Sequence, residues 1–380
     1  MLLSTVVSYL FVYQTTLLVA DQKQYITNKY DIIFQYIIFV LQVIVLIITK
    51  NYALYLITNI ICTIICNLMK VNKAKEIYPY LKDRKKIEPL EKKEKKDIFS
   101  NISSLFFYKL GSVIQSNTDN ILISIFVGTI SVGYYSNYNT IITSIVTLIS
   151  MIFTAIKASL GNFLVEKSKD EQLKMFYILE EINFWLICFA GVAFLSLIPE
   201  FIEICFGKEY VLSNAVLIVT VLNFYTSNIR QTMWAYRETA GLFNRTKFIT
   251  IVTSTINIIL SIVFGKYFGL VGIVGATVIS RMLYAWWREP LITFNEYFGV
   301  SAHQYFKNYI LRFLLFIVIS GVTIGINNLV NFKNLYLDFA IKVIITAIVP
   351  NIIILIISLK GDALKFIISK LKRKGIQNGG

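Results

Sequence analysis

Apolar residues run along this chain in stretches of about twenty, and polar residues gather in the gaps between them. Eleven stretches can be drawn, at 2–19, 31–48, 52–69, 99–127, 133–157, 176–198, 212–236, 247–264, 268–287, 309–328 and 336–358. Each approaches the length an α-helix needs to cross ~30 Å of hydrocarbon. Hydrocarbon offers no water to the backbone, so each stretch must close its own hydrogen bonds as a helix. Strands of a membrane barrel would alternate apolar and polar residues, and these stretches do not. The predicted fold class is therefore all-α: a polytopic helical membrane protein with about 11 transmembrane helices.

The longest gap, Lys70 to Asp97, carries eleven Lys/Arg, six Asp/Glu, Pro79 and Pro89, which reads as a solvated cytoplasmic linker. Alternation from that loop puts 28 of the 37 basic residues on the cytoplasmic side. Four lie in outer loops (Lys50, Lys208, Lys266, Lys333) and five deeper within spans, Lys157 and Lys247 at the inner span ends being counted as cytoplasmic. The formal charge of +15 is thus an orientation signal with attraction for anionic membrane lipid, and no nucleic-acid partner is expected. "KFIISKLKRK", Lys365 to Lys374, reads as a basic amphipathic helix at the interface.

Two stretches share one layout of span, polar turn, span, short outer turn and span. One runs from Val6 to Met69, the other from Val221 to Leu283. Lys29 falls opposite Lys247 and Lys50 opposite Lys266, at offsets of 218 and 216. The second copy follows three spans that the first lacks. The expectation is two pseudo-repeated lobes related by an axis along the membrane normal, the first lobe incomplete and the chain N-terminally short. The domains expected are a three-span N-terminal remnant (1–69), the linker (70–98), a six-helix lobe (99–287), two additional spans (288–359) and a basic cytoplasmic tail (360–380).

Three helices of the six-helix lobe carry polar stripes at helical spacing. One holds Asn101, Ser104, Tyr108, Ser112, Gln115 and Asp119, with Lys109 beside it; the second holds Asn137, Thr140, Ser144 and Thr147; the third holds Asn223, Thr226, Arg230, Trp234 and Arg237. A shared aqueous cavity accounts for all three. Structural hydrogen bonds between helices are the alternative for each charged member. Lys109, Arg230 and Arg281 lie deep, whereas Arg312 and Lys342 lie near span ends, where they can snorkel. Arginine suits an anionic head group, because its fork matches phosphate oxygens and its charge persists when desolvated. Tyr134, Tyr135 and Tyr138, and Trp286 with Trp287, fit interfacial belts, with sugar stacking as the alternative.

Other chemistry is restricted. His303 is the single histidine, and Cys62 and Cys66 sit four apart in an apolar span as small hydrophobes, so no metal cluster of the usual spacing can be assembled. There is no GxxxxGK[ST] phosphate loop. Gly269, Gly272 and Gly275 fit close helix approach instead. No cofactor is expected.

"DNILISIFVGTISVGYYSNY" followed by "SLGNFLVEKS" resembles the start of the second lobe in polysaccharide repeat-unit flippases, of the O-antigen, capsule and teichoic type. These belong to the multidrug/oligosaccharidyl-lipid/polysaccharide exporter superfamily, and "LLVADQKQYI" resembles the turn after their fourth helix. The resemblance implies two lobes around a cavity and a multi-pass protein of the bacterial cell membrane. It further implies that undecaprenyl-diphosphate-linked oligosaccharides pass to the outer leaflet for capsule or other cell-surface polysaccharide, with polysaccharide assembly enzymes as possible partners. The family's cationic cavity is matched through Lys109 and Arg230, and the wider candidate set adds Gln115, Asp119, Asn137, Asn223 and Trp234. Three alternatives stay open: a drug/cation antiporter of the same superfamily using Asp119, a non-transporting remnant, and a polysaccharide polymerase. The last has little room in its outer loops, Pro199 to Val211 and Gly325 to Tyr336, even with Glu200, Glu203 and Glu209 in the first.

Overall fold

The computed structural model describes residues 2–21, 23–82, 118–330 and 334–359, with scattered positions at 91–106 and at 332, 361–366 and 369. Among the described residues the protein is all-α, and it divides into two compact units, Met1–Lys95 and Lys96–Gly380.

The first unit holds α1 (Leu2–Ala20), α2 (Gln24–Thr49) and α3 (Tyr52–Ile77), with α3 packed on both others. The α2–α3 turn is specified locally. Lys50 closes α2 in the left-handed region, and the Asn51 side chain accepts a hydrogen bond from the Ala53 amide at 2.8 Å. Phe34, Cys62 and Cys66 form the small core, so the cysteines serve as apolar filling. An ion pair joins Lys70 of α3 to Asp31 of α2. In the α1–α2 turn, Lys23 and the Tyr78 hydroxyl both bond Asp21 and hold its carboxyl below the ordinary range.

The second unit begins with helical residues 118–126 and α4 (Thr129–Glu166). A capping box at Ser168 and Glu171 opens α5 (Lys169–Phe206), which passes through Pro199. It therefore reaches beyond the expected 176–198 span and reduces the outer loop after it to 207–213. Next come α6 (Asn214–Asn228), α7 (Gln231–Thr239) and α8 (Phe243–Ser280). A mixed helix continues through π-helical Arg281–Ala285, α9 (Trp286–Leu291) and π-helical Ile292–Phe298, before α10 (His303–Asn328) and α11 (Leu335–Ser358).

α8 is a hairpin rather than one rod. Gly269 sits at φ 57°, ψ −133°, and the chain doubles back so tightly that a Cβ on Gly272 would stand 2.1 Å from the Phe264 carbonyl oxygen. The two arms correspond to the expected spans 247–264 and 268–287, though the second helix runs on to Phe298 where a loop was expected.

Seven helices among the described residues are long and apolar enough to cross a bilayer, the one at Phe248–Phe298 containing both arms of the hairpin. The rest of the eleven expected spans differ in particular ways. α1 covers the expected 2–19, though only Ser8–Ala20 of it stands out as an apolar helix, most of 99–127 lies outside the described residues, and 212–236 is broken into α6 and α7.

Packing of the second unit centres on α5. Phe176 meets Tyr236, Phe294 and Phe298 with ring centroids 5.1, 5.2 and 5.9 Å away. Gln172 ties the ends of four segments together. Its amide donates to the Leu164 and Lys167 carbonyls, both at 2.8 Å. Its own carbonyls accept from the Tyr236 and Tyr297 hydroxyls at 2.8 and 2.7 Å. Arg312 and Lys342 do not snorkel freely. Arg312 pairs with buried Glu180 at 2.6 Å, and Lys342 with Glu200 and Asp338 at 2.5 and 2.6 Å.

Candidate functional site

The site grows out of the break between α6 and α7. An unbroken helix there would point every backbone group along its own axis. At Ile229 and Arg230 the pattern lapses instead, freeing the carbonyls of Asn228 and Ile229. Asn183, fully buried on α5, donates to both through Nδ2, at 3.1 and 2.8 Å. Irregular backbone at membrane depth survives where protein groups satisfy it or where it borders a cavity, and both conditions hold here.

The cavity beside the break has a volume of about 630 Å³. Its wall comprises residues 119–120, one face of α4, the α6–α7 break, both arms of α8 and Arg281 to Ala285. Amides and hydroxyls dominate: Asn120, Asn139, Thr143, Asn228, Gln231 and Thr253 all line it. Such groups both donate and accept hydrogen bonds, which matches sugar hydroxyls as well as water.

Four charged side chains are among the described lining residues. Arg230, Arg237 and Arg281 face the cavity against one carboxylate, Asp119, among the described lining residues. Behind the first two arginines lies Glu289, completely buried. Its Oε2 pairs with Arg230 and its Oε1 with Arg237, the latter at 2.7 Å. Counting Glu289, the described charges balance to a single positive excess. Arg281 is held differently: its guanidinium donates to Asn223 Oδ1 at 3.0 Å and Thr226 Oγ1 at 3.1 Å, both neutral. The Arg230 guanidinium also lies 5.8 Å from the Trp234 ring centre, within cation–π range. Asp119 Oδ2 accepts from the Thr277 hydroxyl at 2.9 Å, and Thr277 in turn accepts from Asn257 Nδ2 at 2.9 Å.

The structure brings four of the seven expected site residues, Asp119, Asn223, Arg230 and Trp234, to this one cavity. Lys109 and Gln115 lie outside the described residues. Asn137 is on α4 but away from the lining, and its stripe is misplaced. Tyr135, Asn139, Thr143, Val146 and Ser150 face the cavity, roughly a third of a turn away at 3.6 residues per turn. Thr140, Ser144 and Thr147 instead return their hydroxyls to carbonyls four residues back, at 2.7, 2.9 and 2.8 Å. That internal bond lets a hydroxyl face an apolar medium, so hydroxyl spacing alone does not mark a wet face. The tyrosines also part ways: Tyr135 lines the cavity, while Tyr138 is fully buried with its hydroxyl accepting from the Leu212 amide at 2.9 Å. Trp286 lies against the rings of Phe306 and Tyr309, at 5.4 and 5.2 Å between centres.

Two participants escaped the sequence reading. Glu289 falls in the loop expected after the 268–287 span, because the apolar run falters at Arg288 before "EPLITF" resumes it. Asn183 carries no periodic signal, being one amide in an apolar helix.

No protein-family model matches the chain, and no curated protein matches it. Among solved structures, the chain is similar to one described as lipid II flippase MurJ in an inward closed conformation. The TM-score is 0.60 and the identity 16%, over 93% of this chain and 71% of that one. At that identity the likeness is one of fold: a polytopic helical membrane fold shared with a flippase.

Proposed function

We propose that this chain is a flippase for lipid-linked oligosaccharide, with the cavity holding the head group of a polyprenyl-diphosphate carrier. The observation that carries this reading is the cluster of Arg230, Arg237 and Arg281 on a polar wall with Asp119 as its one described carboxylate, in a unit several of whose helices are long and apolar enough to span a bilayer. Guanidinium groups pair with diphosphate oxygens, and the amides and hydroxyls offer partners for the adjoining sugars. The break at Ile229 supports the reading, since discontinuous helices recur where transporters bind their substrates. The fold shared with a lipid II flippase supports it as well. On the sequence resemblance, the cargo is a repeat unit for cell-surface polysaccharide in the bacterial plasma membrane.

Arg281 provides the cleaner test, because its described hydrogen-bond partners Asn223 and Thr226 are neutral and its removal breaks no described ion pair. Proteoliposomes carrying a fluorescent polyprenyl-diphosphate oligosaccharide would report translocation. Losing one charge-assisted contact of about 1.5–3 kcal/mol lowers the rate roughly tenfold or more. Arg281→Gln is expected to show that loss at unchanged membrane abundance. Equal rates in the wild type and an Arg230→Gln/Arg281→Gln double variant would remove the head-group assignment.

A drug/cation antiporter is the second reading, favoured by Asp119, whose Oδ1 is buried with no hydrogen-bond partner among the described residues. Proton-driven uptake of a cationic dye that Asp119→Asn abolishes would support it over the flippase.

A further inference from the structure

Glu289 has no place in simple attraction of an anion. It is a carboxylate set directly behind the cavity's own cations, at no exposure to solvent. Desolvating a carboxylate is expensive and is tolerated only when its partners are close and well placed. Here two partners bracket it, one on each oxygen: Arg230 at the helix break and Arg237 two turns on. Bridging two guanidinium groups through two oxygens is the geometry that a phosphate group would adopt with the same arginines. Glu289 therefore competes with any incoming anion for the same donors. Its helix is α-helical for only six residues, with π-helical turns at Arg281–Ala285 and Ile292–Phe298 on either side. Single π turns of this kind recur at functional positions.

We propose that Glu289 is a specificity-determining residue of the cavity: an internal carboxylate that holds Arg230 and Arg237 and that a diphosphate displaces far better than a monophosphate. This rests on the head-group reading above. A monophosphate ester offers one phosphoryl group, little more than Glu289 already supplies. A diphosphate brings a second group and more charge, which can reach Arg281 while the first exchanges with Glu289. The carboxylate thus sets a threshold that weakly charged lipids do not pass.

The test is a ratio of affinities in the full-length, detergent-purified protein, using geranylgeranyl diphosphate and geranylgeranyl monophosphate as probes. Wild type is expected to favour the diphosphate by at least about tenfold, the equivalent of 1.4 kcal/mol. Glu289→Gln is expected to bind the monophosphate more tightly, bringing the ratio toward one. Removing one partner from a buried ion pair can unfold a protein, so Glu289→Asp is the companion variant. It keeps the charge but, one methylene shorter, cannot span both arginines, and an intermediate ratio is expected. A purely structural Glu289 would weaken both probes alike and leave the ratio unchanged in both variants, which overturns the proposal. Diphosphate selectivity in wild type with that unchanged ratio sinks this inference alone. Failure of wild type and variants to bind either probe sinks the head-group reading together with it.

Discussion

Breaking a helix inside hydrocarbon strands carbonyls that water cannot reach, and in this protein one side chain answers for two of them. Asn183 spends both amide hydrogens on Asn228 and Ile229, and the break in turn sets Arg230 at the cavity wall. Asn183→Leu keeps much of the volume while removing both donors. Each stranded carbonyl costs about 1–3 kcal/mol, so the variant is expected to lose several kcal/mol in reversible unfolding from mixed micelles. A change within about 0.5 kcal/mol, the range of an inconsequential surface substitution, would show that the carbonyls find other partners. The same residue shows why part of the site was illegible in sequence. Arg230 and Trp234 announce themselves as costly groups in an apolar run, whereas the partner that permits the break sits on another helix. Glu289 hid for a related reason: a charge next to a run of tryptophans and arginine looks like a helix end until its two cations are seen around it.

At the level of elements, spacing of apolar runs located helices well because hydrocarbon thickness fixes their length, and the ends were set by recognisable caps at Asn51, Ser168, Ser213 and Asn334. What spacing could not locate was direction. The α4 stripe went to the wrong face because Thr140, Ser144 and Thr147 satisfy themselves internally, leaving Asn139 and Ser150 to face the cavity. The glycines of α8 illustrate the same limit. Read as small residues for helix approach, they divide by geometry into three cases. Gly269 holds a left-handed turn, Gly272 passes against the Phe264 carbonyl, and Gly275 has ordinary room, its nearest neighbour being Val219 at 3.7 Å. Gly269→Ala is expected to cost about 1–3 kcal/mol for the strained backbone. Gly272→Ala should be worse, because backbone rather than a side-chain tip must move, and the hydrogen bond that links Asn257 to Thr277 across the arms would open with it. Gly275→Ala is expected to be tolerated. Thermal unfolding in detergent ranks the three, and a destabilised Gly275→Ala beside a stable Gly272→Ala would refute the tight hairpin.

The second unit is sided, and contacts among its turns and helix ends mark out its two ends. At one end, Tyr134 meets Tyr210 edge-on at 4.9 Å, Tyr138 bonds Leu212, and a Cβ on Gly265 would meet Phe126 at 3.1 Å. The turns near 128, 207–213 and 269 therefore lie together. At the other, Gln172 gathers the end of α4, Tyr236 and Tyr297, and Lys157 pairs with Glu238 at 2.5 Å. Basic residues crowd this second end, with Lys167, Lys169, Lys174 and Arg245, against Lys208 and Lys266 at the first. Basic residues remain in the cytoplasm during insertion, so the Gln172 end is expected inside and the Tyr210 end outside. The protein's own cysteines allow a direct measurement. Cys62, Cys66 and Cys188 are buried, whereas Cys205 is exposed one residue from the end of α5, at the Tyr210 end. A membrane-impermeant maleimide added to intact cells is expected to label Cys205, and Cys205→Ser to abolish the signal. Placed in that background, Lys169→Cys should react only after the cells are permeabilised. Labelling of the residue-169 cysteine in intact cells, with Cys205 protected until permeabilisation, would turn the molecule over and with it the direction in which a head group enters the arginine-lined cavity.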